Sequence, residues 1–412
     1  MDFNIICFGL FGFLLLGYLI LEGLDYGVGM LLPFAGKTEL EKQVIINSIV
    51  PVWEGHEVWL IVAGAVLFAS FPEVYATLFS GLYPALFLIL VTLIFRGVAI
   101  ELRSKERSFK WRKICDWCVF SGSFIPPLIW GTAIASLLKG LPIDGDMQYS
   151  GTIFAVLSMY TVSLGITLTM VFLIHGSTYL ALRLEQGLDE RFKNIGLQIY
   201  RYIFIVFLGF FILTITDTST GEKTLAVITL AMSFLILLKG SRLLKNSEYM
   251  LSLLASTSAI ILIYTSIIIA LFPKIIVSTI SPEHSLDIYN SAASQTTLKI
   301  IATTMFVVLP IVIGCQAWKF YMFWERLSPA KLEMKKLTTT LKQKNKEFIK
   351  KIELAKLFSE TIKEIVDALR SRDGNIIKNL KPVYFKALFR HAKKSNCLRN
   401  IKQALDQKRR TD

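Results

Sequence analysis

The sequence predicts an all-α, polytopic membrane protein with about nine transmembrane helices, followed by a basic tail. Hydrophobic residues make up 53% of the 412 residues, which is more than an ordinary soluble domain carries. Apolar windows of about 20 residues, long enough to cross a hydrocarbon core about 30 Å thick, recur along the first three quarters of the chain. Because a backbone in lipid must satisfy its own hydrogen bonds, we expect these windows to be helices.

The nine predicted spans follow one another with short connections. The first lacks the basic leader and small-residue cleavage site of a secretory signal, so we expect it to remain as an anchor. The approximate spans are residues 5–33, 44–70, 76–100, 115–138, 152–180, 200–217, 223–240, 251–272 and 296–323.

The charges of the connecting loops predict the orientation. The odd-numbered loops carry 15 Lys and Arg residues and the even-numbered loops carry 3. Cytoplasmic loops are enriched in Lys and Arg, so nine spans place the N-terminus outside and the C-terminus in the cytoplasm. Eight spans would put this alternation out of register, and nine are therefore favoured.

The formal net charge of +14 belongs to the C-terminal end of the chain. Residues 325–412 hold 24 Lys and Arg against 10 Asp and Glu, whereas the remainder is neutral. We therefore divide the chain into a membrane domain, 1–324, and a basic cytoplasmic tail, 325–412, which we expect to be helical or partly disordered.

Within the tail, residues 331–370 are typical of a long charged helix that ends near Gly374, and a shorter helix is expected at about 384–406. We favour a contact with the membrane surface or another subunit for this tail. Nucleic-acid binding is disfavoured because no fold or aromatic pattern of that class is recognisable.

Four acidic residues within the predicted spans are candidates for function. Glu54 stands mid-span in the second segment, Glu57 follows one turn later, and Glu22 and Asp25 share one face of the first segment. A carboxylate at membrane depth costs several kcal/mol unless it is paired, protonated or hydrated. With no matching set of buried cations expected, these acids predict proton transfer or contact with a charged partner.

A second polar group lies at the cytoplasmic end of the third span. Arg96, Glu101, Arg103 and Lys105 fall within ten residues there. Either an ion pair between Arg96 and Glu101 or a funnel that admits protons would account for them.

Two histidines, His56 and His175, lie inside predicted spans. A b-type haem needs axial ligands at matched depth on facing helices. The predicted topology puts His56 near mid-membrane and His175 near the cytoplasmic end of its span. Polar contacts between helices are therefore the favoured interpretation, and we expect the chain to hold no haem of its own and no metal.

Several blocks of sequence, in order along residues 1–324, together resemble subunit II of the cytochrome bd-type quinol oxidases. The blocks are LEGLDYGVGMLLPF, INSIVPVWEGHEVWLI, FSGLYPALFLILVTLIFRGVAIELRSK, WRKICDWCVFSGSFIPPL and SQTTLKIIATTMFVVLPIVIGCQAW. The resemblance implies a heterodimer with a subunit I that carries two haems b and one haem d. Such a complex oxidises quinol, reduces dioxygen to water, takes protons from the cytoplasm and contributes to the proton motive force. Lipids and a small accessory subunit are further expected partners.

The resemblance also suggests roles for individual residues. Glu54 matches an intramembrane acid that follows a Trp, and Glu22 matches an acid of the first helix. Glu101 and Lys105 match residues where protons are thought to enter from the cytoplasm. We accordingly expect Glu101 and Lys105 to admit protons, Glu54 to relay them, and Glu22 or Asp25 to support the route.

Two other classes of function remain open. A proton-coupled secondary transporter would also use Glu54, although neither an inverted repeat nor a matching pair of broken helices is recognisable. A purely structural scaffold would need the acids only for polar contacts. Replacing Glu54 by Gln distinguishes the scaffold from the proton relay, because a scaffold subunit would leave turnover unchanged.

Overall fold

The computed structural model describes residues 2–106, 108–217 and 224–334, together with scattered positions between 337 and 363. Two units are distinguished, Met1–Leu332 and Glu333–Asp412. The first unit is helical, with one short β-hairpin. The helix end expected near Gly374 and the helix expected at 384–406 lie outside the described residues.

Eleven α-helices are found in the described ranges. They are α1 (Phe3–Ala35), α2 (Glu39–Asn47), α3 (Trp53–Ser70), α4 (Pro72–Gly81), α5 (Tyr83–Leu102), α6 (Phe109–Lys139), α7 (Met159–Arg183), α8 (Leu188–Asp217), α9 (Thr224–Lys245), α10 (Tyr249–Leu271) and α11 (Gln295–Met322). Among them, eight are long and apolar enough to cross a membrane: α1 and α5 to α11. The all-α membrane fold predicted from the sequence is confirmed.

The second predicted span differs from the others. Residues 44–70 form the end of α2, a turn, and the 18-residue helix α3. Its length of about 27 Å nearly matches the hydrocarbon core. Glu54, His56 and Glu57 lie in its first two turns, and α3 is not among the eight helices apolar enough to cross a membrane. Thus eight of the nine predicted spans coincide with helices of membrane-spanning character, and the ninth coincides with α3.

Charged side chains gather at one end of the helix bundle. Arg103 bonds to Asp116 (2.6 Å) and to Glu39 (3.2 Å), which ties the end of α5 to α6 and α2. Arg191, in the first turns of α8, bonds to Glu41 of α2 at 2.7 Å. Because charged pairs of this density need water or headgroups, we call this the charged end of the bundle.

The opposite end is closed by uncharged backbone contacts. A two-stranded antiparallel hairpin, β1 (Lys274–Ile276) and β2 (Leu286–Asp287), lies there. The amide of Leu141 donates to the carbonyl of Val277 at 2.8 Å, and the Asn4 side chain donates to the carbonyl of Ile288 at 2.6 Å. The loops after α6 and α10 are thereby joined to the start of α1.

Helix α1 lies at the centre and packs against α3, α6 and α7. Small residues allow the closest approach, as is common where helices associate in membranes. A Cβ added at Gly27 would clash with the carbonyl oxygen of Phe172 and lie 2.6 Å from the Cα of Gly176, both on α7. This tight crossing places the polar face of α1 against α3 and α5.

Candidate functional site

A buried ion-pair cluster joins α1, α3 and α5. The guanidinium of Arg96 on α5 is 1% exposed and pairs with the carboxylate of Glu22 on α1, which is fully buried. The same guanidinium lies 3.4 Å from a carboxylate oxygen of Glu57 on α3. Its Cζ atom also lies 5.0 Å from the ring centroid of Tyr26. One permanent cation thus serves two carboxylates and an aromatic face.

Beside this cluster, Asp25 and His56 form a buried pair. Oδ2 of Asp25 and Nδ1 of His56 are 2.7 Å apart, and both side chains are almost completely inaccessible. The His56 ring stacks on Phe320 of α11, with ring centroids 5.6 Å apart. Within the described part of the chain, Nε2 of His56 and Oδ1 of Asp25 have no hydrogen-bond partner. Both atoms are therefore available to a proton or a water molecule.

Local sequence explains why these groups meet. Asp25 and Tyr26 follow Glu22 on α1 by three and four residues, and so lie on the same side of that helix as Glu22. The turn before α3 brings His56 and Glu57 to the level of Glu22 and Asp25 on α1. At Gly122 of α6 a side chain would clash with Arg96, so a glycine there gives the arginine its space.

The balance of charge favours proton binding in the cluster. Glu22, Asp25 and Glu57 could bear three negative charges, whereas Arg96 is the one residue of the cluster that is always cationic. Unpaired charge at this depth is expensive, so a carboxyl group without a cation tends to hold a proton. Three carboxylates of the cluster therefore share one permanent cation.

The same atoms could also be considered as metal ligands. Ligand atoms of Glu22, Asp25 and His56 all lie within 4.8 Å of one another and are buried. The guanidinium of Arg96, however, already pairs with Glu22. A divalent cation would sit close to that fixed positive charge, so the donor set does not suit a metal ion.

Glu54 is not mid-helix as the sequence suggested. It occupies the first turn of α3 and is exposed, and no ion pair or hydrogen bond is found for it among the described residues. Glu54 nevertheless lies well inside the bundle, measured from its charged end. Its neighbour His56 bonds to Asp25, which lies ten residues, or about 15 Å, inside the end of α1.

The outward face of α3 around Glu54 is apolar. Val58, Ile61 and Phe68 follow Glu54 at helical spacing and are 45%, 69% and 60% exposed. An unpaired carboxylate is thus presented on an otherwise apolar surface, one turn away from Glu57 of the buried cluster.

Glu101 and Lys105 lie at the charged end, as expected. They form an exposed pair with 3.8 Å between Nζ and Oε2. The suggested pair between Arg96 and Glu101 is wrong, because Arg96 points into the bundle toward Glu22 and Glu57. Five residues of α5, about 7.5 Å of helix, separate Glu101 from Arg96.

The two intramembrane histidines are closer in depth than the sequence suggested. His56 bonds to Asp25, and Gly176, next to His175, packs against Gly27, only two residues further along α1. Nδ1 of His175 lies 2.7 Å from Oγ of Ser256 on α10. Each histidine makes a polar contact between helices.

Sequence reasoning missed the role of Arg96, whereas the polar helix–helix contact expected of His56 is found. The expectation that buried cations would be lacking is wrong, since Arg96 is buried and paired. The signal was present: an arginine within the apolar run LFLILVTLIFRGVAI needs an intramembrane anion. Only the packing of α5 on α1 shows that Glu22 supplies it.

Apart from the ion-pair cluster, the bundle contains an apolar cavity of about 590 Å³. It lies among α1, α3, α4, α5 and α6 and is lined by side chains such as Leu60, Phe68 and Leu86. No acidic or basic side chain lines it, so it does not contribute to the charge cluster.

Comparisons with known proteins agree on one family. The family model for the cytochrome bd terminal oxidase subunit II matches residues 3–323. The cytochrome bd ubiquinol oxidase subunit 2 of Bacillus subtilis is 35% identical over 319 residues, covering 76% of this chain and 94% of the relative. The cytochrome bd-I ubiquinol oxidase subunit 2 of Escherichia coli K12 is 30% identical over 360 residues, covering 79% and 95%.

A solved structure shares the fold. A chain of the bd oxidase from Geobacillus thermodenitrificans superposes with a TM-score of 0.64 at 16% identity, covering 78% of this chain and 99% of that chain. The matches leave most of the basic tail uncovered, because the family model ends at residue 323.

Proposed function

Because the chain belongs to the cytochrome bd terminal oxidase subunit II family, we propose that it is the haem-free subunit II of a bd-type quinol oxidase. Its partner would be a subunit I that holds two haems b and haem d, in a bacterial inner membrane. The complex would oxidise quinol and reduce dioxygen to water. This chain would supply part of the route that brings cytoplasmic protons to the oxygen-reducing haem.

The histidine geometry supports a haem-free role. His56 and His175 each already bond to a neighbouring helix through Nδ1, to Asp25 and Ser256 respectively. Two axial ligands would have to face one another across a haem plane. Haem chemistry is therefore assigned to the partner, and the contribution of this chain is proton handling and assembly.

The proposed proton route has three parts. Glu101 and Lys105, exposed at the charged end, would admit protons. The cluster of Glu22, Asp25, His56, Glu57 and Arg96 would hold them within the bundle. Glu54, one helical turn from Glu57, would pass them outward to the partner subunit.

The observation that carries the proposal is the outward, unpaired Glu54 on an apolar face. A carboxylate turned toward lipid at this depth would cost several kcal/mol. Val58, Ile61 and Phe68 around it are exposed, as is much of the neighbouring helix α11. A partner protein that covers this face would remove the cost of exposing the Glu54 carboxylate to lipid, so we infer that α3 and α11 contact subunit I.

The test of identity is a purification from native membranes through a C-terminal tag. We expect a second subunit to co-purify and the reduced-minus-oxidised spectrum to show b-type haem with a far-red haem d band. A colourless chain without a partner would contradict the proposal and favour a proton-coupled transporter.

The test of the proton role is the substitution Glu54→Gln in the assembled complex. Gln keeps the shape but cannot carry a proton, so we expect quinol oxidase turnover to fall about 100-fold or more with haem content unchanged. Glu73→Gln, at an exposed carboxylate in the first turn of α4, is the matched control and should leave turnover as it is. Normal turnover of the Glu54 variant would instead indicate a structural scaffold.

A further inference from the structure

One side of α6 carries a groove of about 550 Å³ near the start of the helix. At 100° per residue its lining positions fall within an arc of about 140°, so they belong to a single side of α6. The side chains of Ile114 and Trp117 in this lining are 57% and 48% exposed. We call this feature the α6 groove, and its lining residues are Lys110, Lys113, Ile114, Trp117, Cys118 and Ser121.

The α6 groove faces away from the rest of the bundle. All of its lining residues belong to α6, which packs against α1, α5 and α7 on its other sides. The faces assigned above to subunit I belong to α3 and α11, and neither helix lines the groove. The groove is therefore separate both from the ion-pair cluster and from the surface that we infer to meet the partner.

The two lysines of the groove stand at the charged end of the bundle. They lie in the first two turns of α6, and Asp116, three residues after Lys113, bonds to Arg103 at that end (2.6 Å). Both lysine side chains are exposed, and neither has an ion pair among the residues that the structure describes. Within that part of the chain, two ammonium groups thus lack an anion at the boundary between hydrocarbon and water.

Beyond the lysines the groove is apolar and bordered by aromatic rings. Trp117 lies seven residues, or about 10 Å, further along α6 than Lys110. Its ring makes edge contacts with Phe34 of α1 and with Phe120, at centroid distances of 6.0 Å and 5.4 Å. Tryptophan is enriched at this level of a membrane, where headgroups give way to acyl chains. The groove thus runs from a basic end into the hydrocarbon.

An anionic phospholipid has the same two parts in the same order. Its phosphate lies at the boundary, where basic side chains attract it, and its acyl chains lie below. A soluble anion would leave the apolar part of the groove uncovered. An uncharged lipid would leave Lys110 and Lys113 without a counter-charge, and none of the lining residues is acidic.

We propose that the α6 groove binds one anionic phospholipid from the leaflet at the charged end. Lys110 and Lys113 contact its phosphate, and one acyl chain lies along Ile114, Trp117 and Ser121. The site makes no use of Glu54 or of the ion-pair cluster, so it is independent of the proposed proton route.

The test is native mass spectrometry of the purified complex, first stripped of lipid. The complex is titrated with phosphatidylglycerol or with phosphatidylcholine that has the same acyl chains. We expect one phosphatidylglycerol to bind about 10-fold more tightly than phosphatidylcholine. A phosphatidylglycerol with a diazirine in its acyl chain should, on illumination, label residues 114–121.

Two variants separate charge from shape. Lys110→Gln with Lys113→Gln should weaken phosphatidylglycerol binding about 30-fold and remove the label. Ser121→Phe fills the apolar part of the groove without changing the charge and should also remove the label. The Ser121 hydroxyl bonds within its own helix, to the carbonyl of Cys118 at 3.1 Å, so its loss leaves the packing between helices intact.

A matched control removes two lysines from another helix of the bundle. Lys239 and Lys245 are exposed in the last turns of α9. Lys239→Gln with Lys245→Gln should leave both the affinity and the label at 114–121 unchanged. A drop equal to that of the α6 variant would mean that only the total charge of the bundle attracts the lipid.

Three further results would overturn the proposal. Equal binding of the two lipids would mean that the lysines select no headgroup. Displacement of the diazirine lipid by inorganic phosphate would mean that the groove binds a soluble anion. Absence of the label from 114–121 in the unaltered complex would mean that protein, and not lipid, covers the groove.

Discussion

At the scale of the residue, Arg96 organises the candidate site. Its side chain is buried, it pairs with Glu22, and it lies 3.4 Å from Glu57. A buried ion pair is stabilising only relative to the same site with one partner missing, because both charges have lost their water. Removing the cation therefore leaves two carboxylates without compensation.

We expect Arg96→Gln to lower the free energy of unfolding by about 3–5 kcal/mol. The measurement is a denaturing-detergent titration of the purified complex. Lys105→Gln breaks the exposed pair with Glu101 and should cost less than about 1 kcal/mol.

A second substitution checks that charge is the cause. Glu22→Gln added to Arg96→Gln removes one of the two orphaned carboxylates and should restore part of the loss. If the double variant is less stable than Arg96→Gln alone, the cluster is held by packing and not by charge balance.

At the scale of the element, the close crossing of α1 and α7 sets the position of Glu22 and Asp25. Gly27 has no room for a side chain beside Phe172 and Gly176. We expect Gly27→Ala to destabilise the complex by about 1–3 kcal/mol, since the helices must separate. Gly9→Ala on the same helix meets nothing within 4 Å. Its stability should stay level or rise slightly, measured as the midpoint of thermal unfolding.

The short helix α2 is held at the charged end by Glu41. The hydrogen bond from Arg191 lowers the pKa of Glu41 below its ordinary value. A carboxyl group with a depressed folded-state pKa adds stability above its unfolded pKa of about 4.3 and loses it as the pH falls through the folded value.

Thermal unfolding at pH 7 and at pH 3.5 tests this contribution. The complex should lose stability on acidification, and Glu41→Gln should show a smaller difference between the two pH values. An identical difference for both proteins would mean that Glu41 does not contribute to the acid sensitivity.

At the scale of the whole molecule, the number of membrane crossings depends on α3. Eight described helices have the length and hydropathy of a membrane span, and α3 is the ninth candidate. If α3 crosses, the two termini lie on opposite sides, and if it does not they lie on the same side. The polar start of α3 is compatible with crossing because His56 and Glu57 face partners on α1 and α5.

Reporter fusions measure this directly. We expect a fluorescent protein at the C-terminus to be active in the cytoplasm and an alkaline phosphatase at the N-terminus to be active in the periplasm. Activity of both reporters on one side would contradict nine crossings and the proposed orientation.

The sequence by itself determined the class of fold, eight of the spans, and the family. Each follows from local properties: the length of an apolar run, the charge of a loop, or the order of motifs such as LEGLDYGVGM. The intramembrane acids Glu22, Asp25 and Glu54 were likewise evident, because a carboxylate in an apolar run is costly wherever its partner lies.

Only the tertiary structure decided which charges meet. Arg96 could have paired with Glu101 on its own helix, and instead it pairs with Glu22, 74 positions earlier in the chain. The pairing of His56 with Asp25 and the outward direction of Glu54 depend in the same way on how α1, α3 and α5 rotate against one another. Those rotations are set by close contacts such as Gly27 on Gly176 and Gly122 on Arg96. Contacts between distant parts of the chain leave no periodic signal in a single sequence.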